Sequence, residues 1–205
     1  MFQTRLVSGV RRSLAPSLAQ RRIEALNRRH TCYMVESLLQ QEKQCTDRFR
    51  ALAAEAPTRG LQELFTLLAV EEQKHFDAVD GLRRLCTGTL AQSRLLGTAK
   101  PLIEALQADL NVSLSRMKQQ LPAYISARDV EAQTRDEYLQ RAKYAFDHQA
   151  RVLFETLAAE EQKHFVLLSL LVELLNQEPV APQHLRSSPW DVSQLDDTLY
   201  DSPGR

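Results

Sequence analysis

Two copies of one six-residue string carry the side chains in this sequence that are best suited to hold a metal. Glu71-Glu72-Gln73-Lys74-His75-Phe76 returns 89 residues later as Glu160-Glu161-Gln162-Lys163-His164-Phe165. Each copy sits in a thirteen-residue frame, opening at Leu64-Phe65 and Leu153-Phe154, in which ten positions are identical. Glu and His stand at i and i+3 in both, so on a helix they share one face. Two such helices facing each other would aim two carboxylates and two imidazoles at one point. That is half of a dinuclear metal site.

The same repeat supplies the other half. Glu42 and Glu131 are also 89 residues apart, and each precedes its Glu-x-x-His by 30 residues. That leaves room for the rest of one helix, a short turn and the start of the next. Competing carboxylates fail the test: Glu36 maps onto Ile125, and Glu137 maps back onto Arg48. The symmetric candidate set is Glu42, Glu72, His75, Glu131, Glu161 and His164.

Register explains why a metal is needed. Glu42 interrupts the stripe Val35, Leu38, Cys45, Phe49 and Leu52, and Glu72 interrupts Leu61, Leu64, Phe65, Leu68 and Val79. Glu131 and Glu161 stand likewise among Ala127, Thr134, Tyr138 and Ala142, and among Leu153, Leu157, Leu168 and Leu171. Burying one unpaired carboxylate costs several kcal/mol. Four together require cations, and two divalent ions balance them while the imidazoles stay neutral. Oxygen and nitrogen donors without thiolate suit iron, with manganese as the alternative, better than structural zinc. Two ferrous ions yield one electron each, enough to cleave an O–O bond.

A single Glu-x-x-His is more often a solvated surface pair. Duplication, the paired upstream glutamates and the inward register argue against that here. Glu71, Lys74, Glu160 and Lys163 are expected to face solvent. His30, His148 and His184 have no repeat partner and are expected at the surface. Tyr138 lies two turns past Glu131 on the same face, as a core tyrosine or as a hydrogen-bond donor to a ligand. Its counterpart is Phe49, so only one half of the site can have the hydroxyl. Cys45, one turn past Glu42, is expected as a buried inert thiol.

The elements that must position these residues are helical. Leu, Ala, Gln, Glu and Arg dominate, with only 6 Gly in 205 residues, which favours an all-α protein. A first helix is expected from about residue 23 to Ala56, and Pro57-Thr58 with Gly60 form a turn. A second runs from Leu61 to near Cys86. Residues 87 to about 123 are too long for a structureless loop. Leu102, Ile103, Leu106, Leu110, Leu114, Met117 and Leu121 keep helical spacing, and Pro101 is expected to begin an extra helix. A further helix from Ser126 to near Phe146 and another ending before Pro179 and Pro182 complete the set. Asp147-His148-Gln149 marks the turn between them. In the tail, Trp190, Leu195 and Tyr200 are candidates for pinning the chain to the surface.

Residues 1–22 contain five Arg, three Ser and no acid, with Phe2, Leu6, Val10, Leu14 and Leu18 four apart. They read as a basic extension or as a transit peptide. The division is then 1–22 extension, 23–178 bundle and 179–205 polar tail. Formal net charge is zero, so nothing points to nucleic acid. No apolar run approaches the length of a membrane span. Three cysteines without a Cys-x-x-Cys pair argue against a disulfide framework and for a reducing compartment. That compartment is expected to be cytoplasmic, or the mitochondrial matrix if residues 1–22 are a transit peptide.

With Glu42-Lys43 and Phe49, Glu131 and Tyr138, and the two Leu-Phe…Glu-Glu-Gln-Lys-His frames, residues 30–176 resemble the rubrerythrin-like branch of the ferritin-like superfamily. The resemblance implies an antiparallel four-helix bundle built from two hairpins, with a long connection holding the extra helix. It also implies a non-haem di-iron centre on the six residues above, reacting with peroxide or O2, and a homodimer is compatible with it. Two departures stand out. The chain has none of the paired Cys-x-x-Cys of a rubredoxin-like module, so turnover would need an external electron donor. The additional Glu of rubrerythrins falls on Cys45 and Thr134. The expected function is therefore an oxidoreductase of peroxidase or ferroxidase type. An iron-binding sensor, storage protein or scaffold without turnover is the alternative.

Overall fold

The computed structural model describes residues 17–85, 88–145, 147–176 and 195–200. Five long helices account for nearly all of it: α1 Leu18–Glu55, α2 Arg59–Leu85, α3 Leu95–Gln119, α4 Leu121–Tyr144 and α5 His148–Asn176. A short 3₁₀ turn, Asp197–Leu199, follows. No strand occurs among the described residues, and no helix there is long and apolar enough to cross a membrane.

The hairpins α1–α2 and α4–α5 pack as the two halves of a four-helix bundle. Cross-helix contacts set the directions. Glu36 meets Arg83 and Arg50 meets Gln73, so α1 and α2 are antiparallel. Arg135 meets Gln162 between α4 and α5. Ser37 meets Arg141 and Arg48 meets Ser126, so α1 is also antiparallel to α4. The expected fold stands, including the extra helix: α3 packs along α2 and α5 and returns the chain to the end where α4 must start.

Two apolar clusters fill the bundle. One, at the end nearest the α1–α2 turn, joins Phe49, Leu61, Leu64, Phe65 and Leu68 to Leu167, Leu171, Leu175 and Tyr124, and to Ile103 and Leu106 of α3. The other joins Val35, Leu38, Val79 and Leu82 to Tyr138, Ala142, Leu153 and Leu157. The buried polar residues lie between them.

Several boundaries differ from expectation, each for a local reason. α1 begins at Leu18 and not near residue 23. α3 begins at Leu95, and Pro101 lies inside it. Leu95 and Leu96 are buried anchors, and the Leu96 and Gly97 amides donate to the Asp197 carboxylate at 2.9 and 3.0 Å. That distant cap starts the helix earlier than proline alone would. α4 begins at Leu121, with Pro122 in its first turn, where a missing N–H is harmless. Ser126, expected as its start, lies inside it and accepts from Arg48. α5 begins at His148, because Asp147 accepts from the Ala150 amide at 2.9 Å and closes the turn earlier. Gly88 leaves α2 where a Cβ would stand 2.6 Å from the Ala78 carbonyl and 2.5 Å from Leu153 Cδ2. Only glycine fits that approach.

The expected solvent-facing charges need correction. Lys74 is half exposed, but Glu71, Glu160 and Lys163 are buried. Lys163 Nζ donates to Glu160 Oε1 at 3.0 Å and to the Ser93 carbonyl at 3.1 Å. Glu160 also accepts from the Ser93 amide and hydroxyl. The start of the crossover lies over this face of α5 and covers a pair that an isolated helix would expose. His148 is exposed as expected. Leu195 is buried and Tyr200 packs beside it, as the tail reading anticipated. Trp190, Pro179, Pro182, His184, Cys86 and Phe146 lie outside the described residues, as do residues 1–16, and the side chain of His30 is not described.

Asp197→Ala should lower unfolding stability by about 1 kcal/mol, the usual cost of a lost helix cap. Asp196→Ala, which removes only the cap of the 3₁₀ turn, should cost less. Equal shifts in chemical denaturation would show that Asp197 does not hold α3.

Candidate metal centre

Four helices deliver six ionisable side chains to the layer between the apolar clusters. α1 contributes Glu42 and α4 contributes Glu131; α2 contributes Glu72 and His75, and α5 contributes Glu161 and His164. None is more than 1% exposed. The i, i+3 spacing puts each Glu-x-x-His on the inward face, and the antiparallel packing of α2 on α5 turns the two motifs toward each other.

The geometry has approximate two-fold symmetry. His75 Nδ1 lies 2.9 Å from Glu161 Oε1, 3.7 Å from Glu42 Oε2 and 4.0 Å from Glu72 Oε2. His164 Nδ1 lies 2.6 Å from Glu72 Oε1, 3.6 Å from Glu131 Oε2 and 3.5 Å from Glu161 Oε2. Each imidazole thus faces its own motif's Glu, the opposite motif's Glu and one upstream Glu. Ligand atoms of Glu72, His75, Glu161 and His164 all lie within 4.8 Å of one another. The imidazole rings stack at 5.1 Å. All six residues singled out by the repeat are brought together.

The donors fit a cation. Glu42 Oε2, both oxygens of Glu72 and Glu131, Glu161 Oε2 and both nitrogens of His164 are buried without a hydrogen-bond partner. The 2.6 Å approach of His164 to Glu72 is close but is not aligned as a hydrogen bond. Buried polar atoms are normally satisfied. So many lone pairs converging at one point are what a metal site requires.

Without a cation, protons must do the neutralising. Burial, then the charges of Glu161 and Glu72, push Glu42 well above the carboxylate range. Burial and Glu161 raise Glu131 from 4.5 to about 8. Burial would depress His75 and His164, but the facing carboxylates more than offset it and raise both. Burial and Glu72 push Glu161 up, yet the two imidazoles win and hold it below its ordinary value.

The surrounding side chains differ between the halves. Tyr138 is buried and donates to Glu42 Oε1, so it is both a core tyrosine and the partner of a candidate ligand. Phe49, its repeat counterpart, sits edge-on to His164 at 6.5 Å. Cys45 is buried, and burial with the charges of Glu72 and Glu131 keeps its thiol protonated. Sequence reasoning passed over three features. Gln73 and Gln162, the glutamines of the two motifs, reach across their hairpins to Arg50 and Arg135. Gln41 Nε2 donates to Thr134 Oγ1 at 2.7 Å, bridging α1 and α4. The Ser93–Glu160–Lys163 network completes the set. The glutamines were visible in the repeat, but the rest depends on cross-chain packing that leaves no local pattern.

The family model for rubrerythrin matches residues 34–172, a span that contains all six residues. The chain belongs to the rubrerythrin family. No curated protein and no solved structure matches it. A rubrerythrin domain with this buried Glu/His cluster suggests a di-iron site.

The pKa directions give a sign for stability. Glu42, Glu131, His75 and His164 are all raised, so the stability they contribute is present at low pH and lost as pH rises through their folded values. Glu161 works the other way, at acid pH. The metal-free protein should therefore unfold at lower urea concentration at about pH 9 than at about pH 6. Divalent metal, which replaces the protons, should reverse that trend. A metal-free midpoint that rises over this interval would contradict the assignment.

Proposed function

We propose that Glu42, Glu72, His75, Glu131, Glu161 and His164 hold two iron ions, and that the protein is a non-haem di-iron oxidoreductase reducing peroxide or O2. The observation that carries this reading is the symmetric, buried set of carboxylates and imidazoles, most of whose carboxylate oxygens have no hydrogen-bond partner. Bound ferrous iron would supply one electron per ion for cleavage of an O–O bond. Manganese is the alternative metal on the same donors.

The chain's own residues have separable tasks. Glu72 and Glu161 each approach both imidazoles and, with them, would hold the ions. Glu42 and Glu131 each approach one imidazole and serve one end. Tyr138 orients Glu42 by donating to one oxygen, leaving Oε2 for the metal. Burial keeps the Tyr138 proton in place as a donor. Phe49 and Leu68 on one side, and Leu38 and Leu157 on the other, belong to the layers that keep bulk water from the carboxylates. Reducing equivalents for repeated turnover would come from an external donor. Ferroxidase action, in which ferric iron passes onward, uses the same residues.

A reading without turnover, as an iron sensor or scaffold, draws on one observation: the site lies inside the core, so metal occupancy and fold stability are coupled. Elemental analysis of anaerobically purified protein, followed by peroxide and O2 titration, separates the two. The oxidoreductase reading expects two irons per chain, oxidised faster by peroxide than by O2. Bound iron that stabilises the fold but does not react would favour the sensor. Full stability after chelation would sink both.

Glu72→Ala or Glu161→Ala should abolish two-metal binding. Glu71→Ala should keep it. Glu160→Ala should keep the stoichiometry but lose about 3 kcal/mol of stability, since Lys163 in the interior loses its nearest carboxylate. Equal metal loss in all four variants would refute the register of the site.

A further inference from the structure

We propose that the two ends of the site fill in order: the Glu131–His164 end takes the first divalent ion and the Glu42–His75 end the second, in part because Tyr138 holds Glu42. The proposal rests on the metal-centre reading above.

The two ends carry the same ligand types, so any difference between them comes from what else holds each atom. At the Glu131–His164 end, Glu131 Oε1 and Oε2, Glu72 Oε1 and Glu161 Oε2 have no hydrogen-bond partner among the described residues. Three carboxylates surround His164 Nδ1, at 2.6 Å for Glu72, 3.5 Å for Glu161 and 3.6 Å for Glu131. Two neighbours leave Glu131 unheld. Thr134, one turn on, gives its proton to the Val130 carbonyl at 3.0 Å. Phe49, the repeat counterpart of Tyr138, has no hydroxyl.

The Glu42–His75 end is already half committed. Glu42 Oε1 accepts from Tyr138, and Glu161 Oε1 accepts from His75 Nδ1 at 2.9 Å. Glu42 Oε2 and Glu72 Oε2 are the oxygens left unpartnered there, 3.7 and 4.0 Å from His75 Nδ1. That nitrogen faces all three carboxylates, so ligation through it must break its bond to Glu161.

This imbalance fixes the sign. A buried acceptor left without a partner costs at least as much as a typical hydrogen bond contributes. An ion at the Glu131–His164 end relieves four such oxygens and breaks no carboxylate hydrogen bond. An ion at the other end relieves two and forfeits one bond. The Tyr138 hydroxyl also keeps Glu42 to one oxygen, whereas Glu131 offers both. Tyr138 preorients Glu42, which favours binding there. That saves the rotamer entropy of one side chain, against two further bare oxygens and a broken bond.

The test uses the full metal-free chain, titrated with Co²⁺ against a competing chelator and followed by visible absorption. Two binding steps would not decide by themselves, since two cations in a symmetric site also repel each other. Variants that keep one end do. Glu42→Gln and Glu131→Gln should each bind one Co²⁺. The ion left in Glu42→Gln should be held at least about tenfold more tightly than the one left in Glu131→Gln. Tenfold corresponds to about 1.4 kcal/mol, near what one hydrogen bond to a charged group contributes. Adding Tyr138→Phe to Glu131→Gln should tighten the remaining ion, because Glu42 regains its second oxygen. Adding it to Glu42→Gln should leave the affinity unchanged, and an equal shift in both backgrounds would overturn the part given to Tyr138. Equal affinities in the two Gln variants, or the reverse ranking, would overturn the order of filling alone. A wild-type chain that takes up no Co²⁺ would overturn the metal-centre reading, and the order with it.

Discussion

A layer of four carboxylates and two imidazoles crosses the middle of a dry helical core, and the rest of the structure answers to it. No such layer is stable bare, because each charge taken out of water costs several kcal/mol. Protons relieve part of the cost, as the raised Glu42 and Glu131 show. Cations relieve more of it, and the unsatisfied oxygens are where they would act. The apolar clusters above and below the layer confine the problem to one level of the bundle. That confinement requires the four site helices to hold one register, which explains the latches spread over their outer faces. Arg50–Gln73, Arg135–Gln162 and Arg48–Ser126 all tie neighbours at fixed heights. Individually such exposed bonds contribute little; collectively they resist a one-turn slip that would take the carboxylates out of alignment.

Duplication explains the symmetry of the candidate ligands, and its failures are equally informative. The Glu71–Lys74 pair has a half-exposed lysine, whereas its copy, Glu160–Lys163, is sealed beneath the crossover. The crossover exists once, so only one copy can be covered. Tyr138 holds Glu42, while Phe49 offers its ring edge to His164 and no hydroxyl. Identical donors thus sit in two different settings, and on the proposed reading the two metal positions are not equivalent.

The fold and the six candidate residues were legible because both leave periodic traces. Helical stripes and an 89-residue offset survive in one dimension. Burial of Glu160 and Lys163 left no such trace: their positions copy those of Glu71 and Lys74, and the difference is made by a segment some 70 residues away. The start of α3 was misread for the same reason. Pro101 is a local signal, but the true start is set by Asp197, about 100 residues downstream. Ser126 was expected to open α4 but lies inside it, because Pro122 had already opened the helix. Sequence patterns report what a helix does with its own neighbours, and they miss contacts that only the assembled bundle creates.

The two positions where this chain departs from its relatives by resemblance, Cys45 and Thr134, bear on the charge balance of the proposed centre. An additional Glu at either place would add a fifth carboxylate to the layer. Instead, Cys45 is held as a neutral thiol by burial and by the charges around it, and Thr134 spends its hydroxyl proton on the Val130 carbonyl. The layer's negative charge therefore stops at four, which would match the two ferrous ions of the proposed centre with nothing left over. Oxidation to the ferric state adds two positive charges for which the chain provides no further side-chain partner. In a low-dielectric interior an unmatched charge is costly, so on the proposed reading the side chains would favour the reduced pair.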